Sequence, residues 1–306
     1  MYGEDTITVK INRFDVDLYK YLLSTDPDRQ VPLKGTRFLD IYAQEILNIG
    51  KADTTGFEEK LNAFFSNPEL MLLYKDEQEI LNDITPFEKE LSSGFSILLK
   101  EFPSLKMPEI FMHVSGLNQN IIVADSILSL SGDKYLGKDY VLYQDFFYDY
   151  QRELLSPDRI VPDYLLGFLM SEFPFQGNPD VLLDRMIYEG KLRYILSCLL
   201  PKRPVWESLG YSEDQYNWCL KNESRIWKTI LEKQQLYASD YLVTSQYINE
   251  APHTAPLTLS SPARVGIWVG FRIISSYIKN QPQIFLSELM ELSDYQDLLK
   301  NSKYKP

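Results

Sequence analysis

Apolar and polar positions alternate near the start of the chain. Ile7, Val9 and Ile11 fall on one side and Thr8, Lys10 and Asn12 on the other, which predicts a half-buried strand over 6–13. A helical period follows. Phe38, Ile41, Tyr42, Ile46 and Ile49 share one face of a helix predicted over 36–49 and stopped by Gly50. A shorter helix over 56–65 turns Phe57, Leu61, Phe64 and Phe65 inward. Thr85-Pro86-Phe87-Glu88 reads as a capping box with Pro at the first helical position, opening a helix to 102. The period then shortens to two. Ile110 to Val114, Ile121 to Val123 and Ile127 to Leu130 are predicted strands, with a turn at 115–118 and a stop at Ser131-Gly132-Asp133-Lys134. They predict a small antiparallel sheet with the opening strand as a candidate member.

From Tyr140 onward the pattern is helical again, with helices expected over 162–173, 178–200, 212–236, 261–279 and 286–301. Ser212 with Gln215 forms a second capping box, and Ser261-Pro262 marks a third start. Breakers are spread evenly, and neither a linker nor a repeat marks a boundary. The expected fold is α+β, one mostly helical domain over 1–306 around a small antiparallel sheet. Its parts are a strand with helices over 1–105, the sheet over 106–137 and a helical part over 138–306.

Composition narrows the function more than the fold. The chain has 306 residues and a net charge of −12, and an acidic surface disfavours nucleic acid, which needs a basic stripe. No run reaches the roughly 18 apolar residues of a membrane helix. The most apolar helical run, Val265 to Phe271, is bounded by Arg264 and Arg272. The first residues show neither a basic nor an apolar signal region, which leaves a cytoplasmic protein or a chain whose leader has been removed. Cys198 and Cys219 are either one disulfide or two buried thiols.

Several chemistries are excluded. A zinc helix needs two His four apart, and the only histidines, His113 and His253, are far apart in sequence. The nucleophile elbow, phosphate loop, dinucleotide fingerprint and calcium loop are all absent. No catalytic residue, metal ligand or cofactor is therefore assigned. The cysteines sit among apolar helical neighbours, as buried thiols do. His253, in the stiff loop Ala251-Pro252-His253-Thr254-Ala255-Pro256, is a candidate surface-binding residue. Glu189 interrupts an apolar helix and needs a partner, unless it belongs to a solvated stripe with Lys191 and Arg193. Arg264 sits in the first turn of its helix, where the dipole opposes its charge. The two are expected to pair, with Asp184 as the other acceptor. Gly266 and Gly270 are expected to let a second backbone come close.

Further segments resemble a known family. Ile11-Asn12-Arg13-Phe14-Asp15, Met186-Ile187-Tyr188-Glu189-Gly190-Lys191-Leu192 and Tyr216-Asn217-Trp218-Cys219 with Asn222-Glu223 and Ile226-Trp227 resemble the gliding-motility lipoprotein family GldB. The ending, from Ser261-Pro262-Ala263-Arg264-Val265-Gly266 through Gly270 to Asn301-Ser302-Lys303-Tyr304-Lys305-Pro306, is the closest match. The resemblance implies a non-catalytic cell-envelope lipoprotein, a scaffold or interaction protein facing the periplasm with envelope proteins as partners. It also implies a membrane anchor by lipid on a leader that this sequence does not show. The layout is similar to zinc-dependent proteases of the gluzincin type, in degenerate form. The helix over 162–173 would hold the place of the metal helix but has no His, and Glu189-Gly190 would match the third-ligand helix. The alternatives are a peptide- or glycan-binding module, or a metal-dependent hydrolase with atypical ligands such as Glu189 and Asp184.

Overall fold

The structure is a computed structural model that describes residues 7–118 and 120–306. Sheet pairing begins at Ile11, later than the alternation predicts. The expected first strand residue, Thr6, lies outside the described residues. Val9 gives its N–H to the Ser92 hydroxyl and Ile11 gives its N–H to Glu88. Side chains of a helix thus take the donors that a longer strand would use, and β1 is only Ile11–Arg13. Glu88 is occupied by Ile11 and Lys10 rather than by a capping box.

Five helices follow: α1 (Phe14–Leu23), α2 (Arg37–Ile41), α3 (Phe57–Phe64), α4 (Pro68–Ile80) and α5 (Thr85–Glu101). The helix expected over 36–49 changes to a π-turn at Tyr42–Ile46, where Leu47 N–H reaches Tyr42 carbonyl. Then come β2 (Glu109–His113), β3 (Ile121–Ala124) and β4 (Ile127–Ser131), the short α6 (Tyr143–Phe146) and α7 (Asp149–Arg152), and α8 (Ile160–Glu172). The last segment holds α9 (Leu182–Leu199), α10 (Val205–Ser208), α11 (Glu213–Lys221), α12 (Glu223–Glu232), α13 (Tyr241–Ile248), α14 (Val265–Asn280), α15 (Leu286–Glu291) and α16 (Tyr295–Ser302).

The fold is α+β, as expected, but the sheet is mixed rather than antiparallel. Its order is β1-β2-β4-β3, with β1 and β4 both parallel to β2 and only β3 antiparallel to β4. Connection length explains the difference. Five helices separate β1 from β2, long enough for a parallel return. The β3–β4 hairpin, turning on Asp125 and Ser126 at positive φ, reverses the chain so that β4 runs with β2.

Contacts divide the chain into two compact units. The first contains residues up to 92 and 106–167, and the second contains 93–105 and 168–306. The first unit's core is built on aromatic rings. Phe38 stacks on Phe111 at 4.0 Å, and Phe14 meets the edges of Phe38 and Tyr42 at 4.9 Å each. Tyr42 donates its hydroxyl to the Val114 carbonyl at 2.7 Å.

The second unit is built on the crossing of α9 and α14. A Cβ on Gly190 would strike the backbone of Gly270 and Phe271, and one on Gly270 would strike the backbone of Met186. Gly266 sits 2.9 Å, measured from an ideal Cβ, from the Tyr247 carbonyl of α13. The expected close approach at Gly266 and Gly270 is therefore present. α14 starts at Val265, behind Arg264 with φ of 57°, three residues later than the Ser261-Pro262 signal suggests. The capping box of Ser212 and Gln215 forms, but Asn222 breaks that helix into α11 and α12.

Candidate functional site

The first unit buries several polar and charged groups in and around its sheet. Asp133, in the single helical turn after β4, is fully enclosed. Its carboxylate accepts the N–H of Ser115 at 3.1 Å, the N–H of Leu117 at 2.8 Å and the Ser131 hydroxyl. Its carbonyl accepts the Tyr143 hydroxyl at 2.6 Å, and that oxygen in turn accepts Leu136 N–H. Burial raises the Asp133 pKa, while the three donors pull it back.

A second acidic group lies nearby. Asp15 is held by the Arg13 guanidinium at 2.6 Å, and Gln78 donates to both Asp15 and Glu77. Glu77 is sealed from solvent, and its Oε1 has no hydrogen-bond partner. Burial, aided by the Asp15 charge, pushes its pKa well above the usual carboxylate range. Gly132 is a glycine for a local reason, since a Cβ there would strike Glu77 Oε1. His113 is buried on the central strand β2, not at an edge. Its Nδ1 pairs with the Ser129 hydroxyl at 2.7 Å, and burial pushes its pKa down to about 3, so the ring stays neutral.

Asp133 fixes one wall of an accessible groove. Asp133 clamps the 115–118 turn, in which Gly116 and Leu117 both have φ of 67°. Gly116, Leu117, Phe64 of α3, Leu70 of α4, and Leu142 and Phe146 beside Tyr143 line a cavity of about 260 Å³. Asn67 and Glu69 at the start of α4, with Leu73 further along it, complete the lining, and Glu69 is the only charged one among the described residues that line it.

The residues singled out from sequence lie in the second unit, and the expected pair does not form. Glu189 is bound by Arg185 of its own helix at 3.0 Å, and Arg185 lies over the Phe175 and Tyr188 rings. Arg264 donates to the Gly210 carbonyl at 2.8 Å and faces the Tyr211 ring. A carbonyl and a ring answer its charge where a carboxylate was expected. Asp184 accepts Asn178 N–H. The solvated-stripe alternative fails too, because Glu189, Lys191 and Arg193 are 5%, 2% and 7% exposed. Lys191 gives its protons to the carbonyls of Leu289, Met290 and Leu292 at 3.3, 3.1 and 2.7 Å, beside a cavity of about 110 Å³. Arg193 donates to the Ser208 carbonyl.

His253 is half-buried, and its loop is organised by the neighbouring Thr254. The Thr254 hydroxyl donates to the Pro262 carbonyl and accepts the Val265 N–H, which secures the start of α14. Sequence reasoning also missed the tie at the chain's end. Glu223 holds Arg272 at 2.8 Å and accepts the Tyr304 hydroxyl at 2.9 Å. Cys198 and Cys219 are free thiols, and burial raises the pKa of both. Among the described residues, no three of His, Cys, Asp and Glu converge in a metal-holding arrangement, and no helix is long and apolar enough to cross a membrane.

Comparison with known proteins gives one match. The family described as gliding motility protein GldB covers residues 3–306, essentially the whole chain. Searches of curated proteins and of solved structures return no significant match. The resemblance carried by the scattered segments thus extends from end to end, and the chain belongs to the GldB gliding-motility family.

Proposed function

We propose that this protein works in the cell envelope, lipid-anchored and facing the periplasm, as a non-catalytic interaction protein of the gliding apparatus. One observation carries the reading. The groups with reactive potential in the first unit (Asp133, Glu77 and His113) are sealed inside, with Asp133 bracing the backbone, while the accessible concavity is mostly apolar. Such a surface suits binding to another protein better than general acid–base chemistry, which needs a titrating group at the ligand. In this reading the scaffold is a protease-like one whose former metal helix is α8. There Asp163 pairs with Arg159 and Tyr164 donates to the Phe111 carbonyl, so both serve packing. A peptide-binding role is favoured within the same reading by the groove itself.

Two measurements in the native host test the proposal. Deleting the gene should abolish spreading over a surface, and the gene on a plasmid should restore it. Growth with labelled palmitate should label the native gene product and place it in the membrane fraction. Recovery of an unlabelled product in the cytoplasmic fraction, with spreading intact in the deletion strain, would overturn the reading.

A further inference from the structure

We propose that the groove of the first unit binds a protein segment presenting one aromatic or large aliphatic side chain flanked by basic residues. The inference rests on the interaction role proposed above and names the partner's chemistry. Its apolar half comes from the lining, where Phe64, Leu70, Leu117 and Leu142 surround a cavity of about 260 Å³. That is room for a large side chain, whose removal from water favours association. Phe146 closes one side yet is 63% exposed, and Val141 and Tyr148 on the same short segment are 72% exposed. Isolated exposed apolar residues are ordinary, but three fall within residues 141–148, and Phe146 among them lines the apolar cavity.

The basic half comes from the rim. Glu69 lines the cavity, is exposed and forms no ion pair among the described residues. Asp145, in α6 between the lining positions Leu142 and Phe146 in sequence, is exposed and likewise forms no ion pair among the described residues. Among the described residues, no Lys or Arg lines the cavity. The chain's net charge of −12 extends the same sign over the surface and favours approach of a basic segment. The wall is also held in place before any partner arrives. Asp133 grips the 115–118 turn from behind, and its carbonyl holds Tyr143 of α6. Binding therefore orders little of the protein itself.

The test uses the whole chain and two capped hexapeptides. One carries lysines on either side of a phenylalanine–leucine pair, and the other carries glutamates in their place. Amide shifts in nitrogen–proton correlation spectra report binding. The lysine peptide should shift Gly116, Leu117 and Phe146 and bind at least about tenfold tighter than its glutamate twin. Phe146→Ser, an exposed change checked by an unaltered melting temperature, should weaken binding about tenfold. Glu69→Gln should weaken only the lysine peptide. Equal affinity for both peptides, insensitivity to Phe146→Ser, shifts centred elsewhere, or no saturable shift at about 1 mM peptide would each overturn the proposal. So would binding of neutral lipid vesicles through Phe146 in place of the peptide. If the peptides fail while deletion of the gene still abolishes spreading, the groove assignment falls and the envelope role stands.

Discussion

Replacing Lys191 by Met tests whether a buried cation holds the end of α15. The side chain is 2% exposed, and the carbonyls of Leu289, Met290 and Leu292 receive its protons. Glu172, Glu291, Tyr188 and Tyr295 line the cavity beside it, and Arg185 and Glu189 precede it on α9. Burial pushes its pKa from 10.5 down to about 8. Between those values the unfolded chain binds more protons than the folded one, so stability rises with pH across that window. Below pH 8 the full penalty is present. At roughly 1.4 kcal/mol per tenfold it amounts to about 3 kcal/mol, of which about 2 kcal/mol is recovered between pH 7 and 9.5. Met keeps the apolar stem and removes the charge, but strands carbonyls at a cost of about 1–3 kcal/mol. The two effects nearly offset at pH 7. By pH 9.5 the variant should fall a further 2 kcal/mol or so behind the wild type. Urea unfolding followed by tryptophan fluorescence at the two pH values reads this directly, and tyrosine titration cancels in the difference. A gap that stays constant or narrows as pH rises would refute the reasoning, because the carbonyls would then be holding the ammonium charged.

Glu77→Gln should stabilise the protein more at pH 8 than at pH 5, since the folded carboxyl keeps its proton well above the ordinary 4.5 and stability falls as pH rises through that interval; urea midpoints of both proteins decide it. Gly270→Ala should cost about 3 kcal/mol or more, because the methyl group would meet the Met186 backbone rather than a movable side chain; a thermal melt within a few degrees of wild type would contradict the crossing. Asp133→Asn should cost about 1–3 kcal/mol, since an amide cannot accept both Ser115 and Leu117 N–H through two oxygens, and hydrogen exchange at those two amides should quicken.

Features written locally were legible in the sequence. The sheet strands and the Ser212–Gln215 box rest on short-range periodicity and spacing, and they appear where expected. The glycine spacing on α14 likewise pointed to its close neighbour. α4 has a local start signal, with Asn67 capping Glu69 N–H and Pro68 at the first position, but its run Leu70 to Leu73 hides the helical period. The sequence pattern points Glu189 to a distant arginine although one stands a turn away, at Arg185. The stripe with Lys191 stands as an open alternative in the sequence because the acceptors of Lys191 come from a remote segment and are backbone carbonyls, which leave no mark in side-chain chemistry. The groove is illegible because three separated stretches, 64–73, 116–117 and 142–146, build it.

The crossing of α9 and α14 also sets the order in which this molecule can form. α9 has apolar neighbours required on nearly every side, yet the backbone it must touch is made long after it on the ribosome. Closing so large a loop is slow, and no local contact substitutes for it. Until Val265–Asn280 emerges, the Met186–Gly190 surface stays open to whatever binds apolar helices, which makes it a natural landing place for a holding chaperone. A nascent chain halted before Val265 should therefore be recovered bound or aggregated, with the second unit unformed.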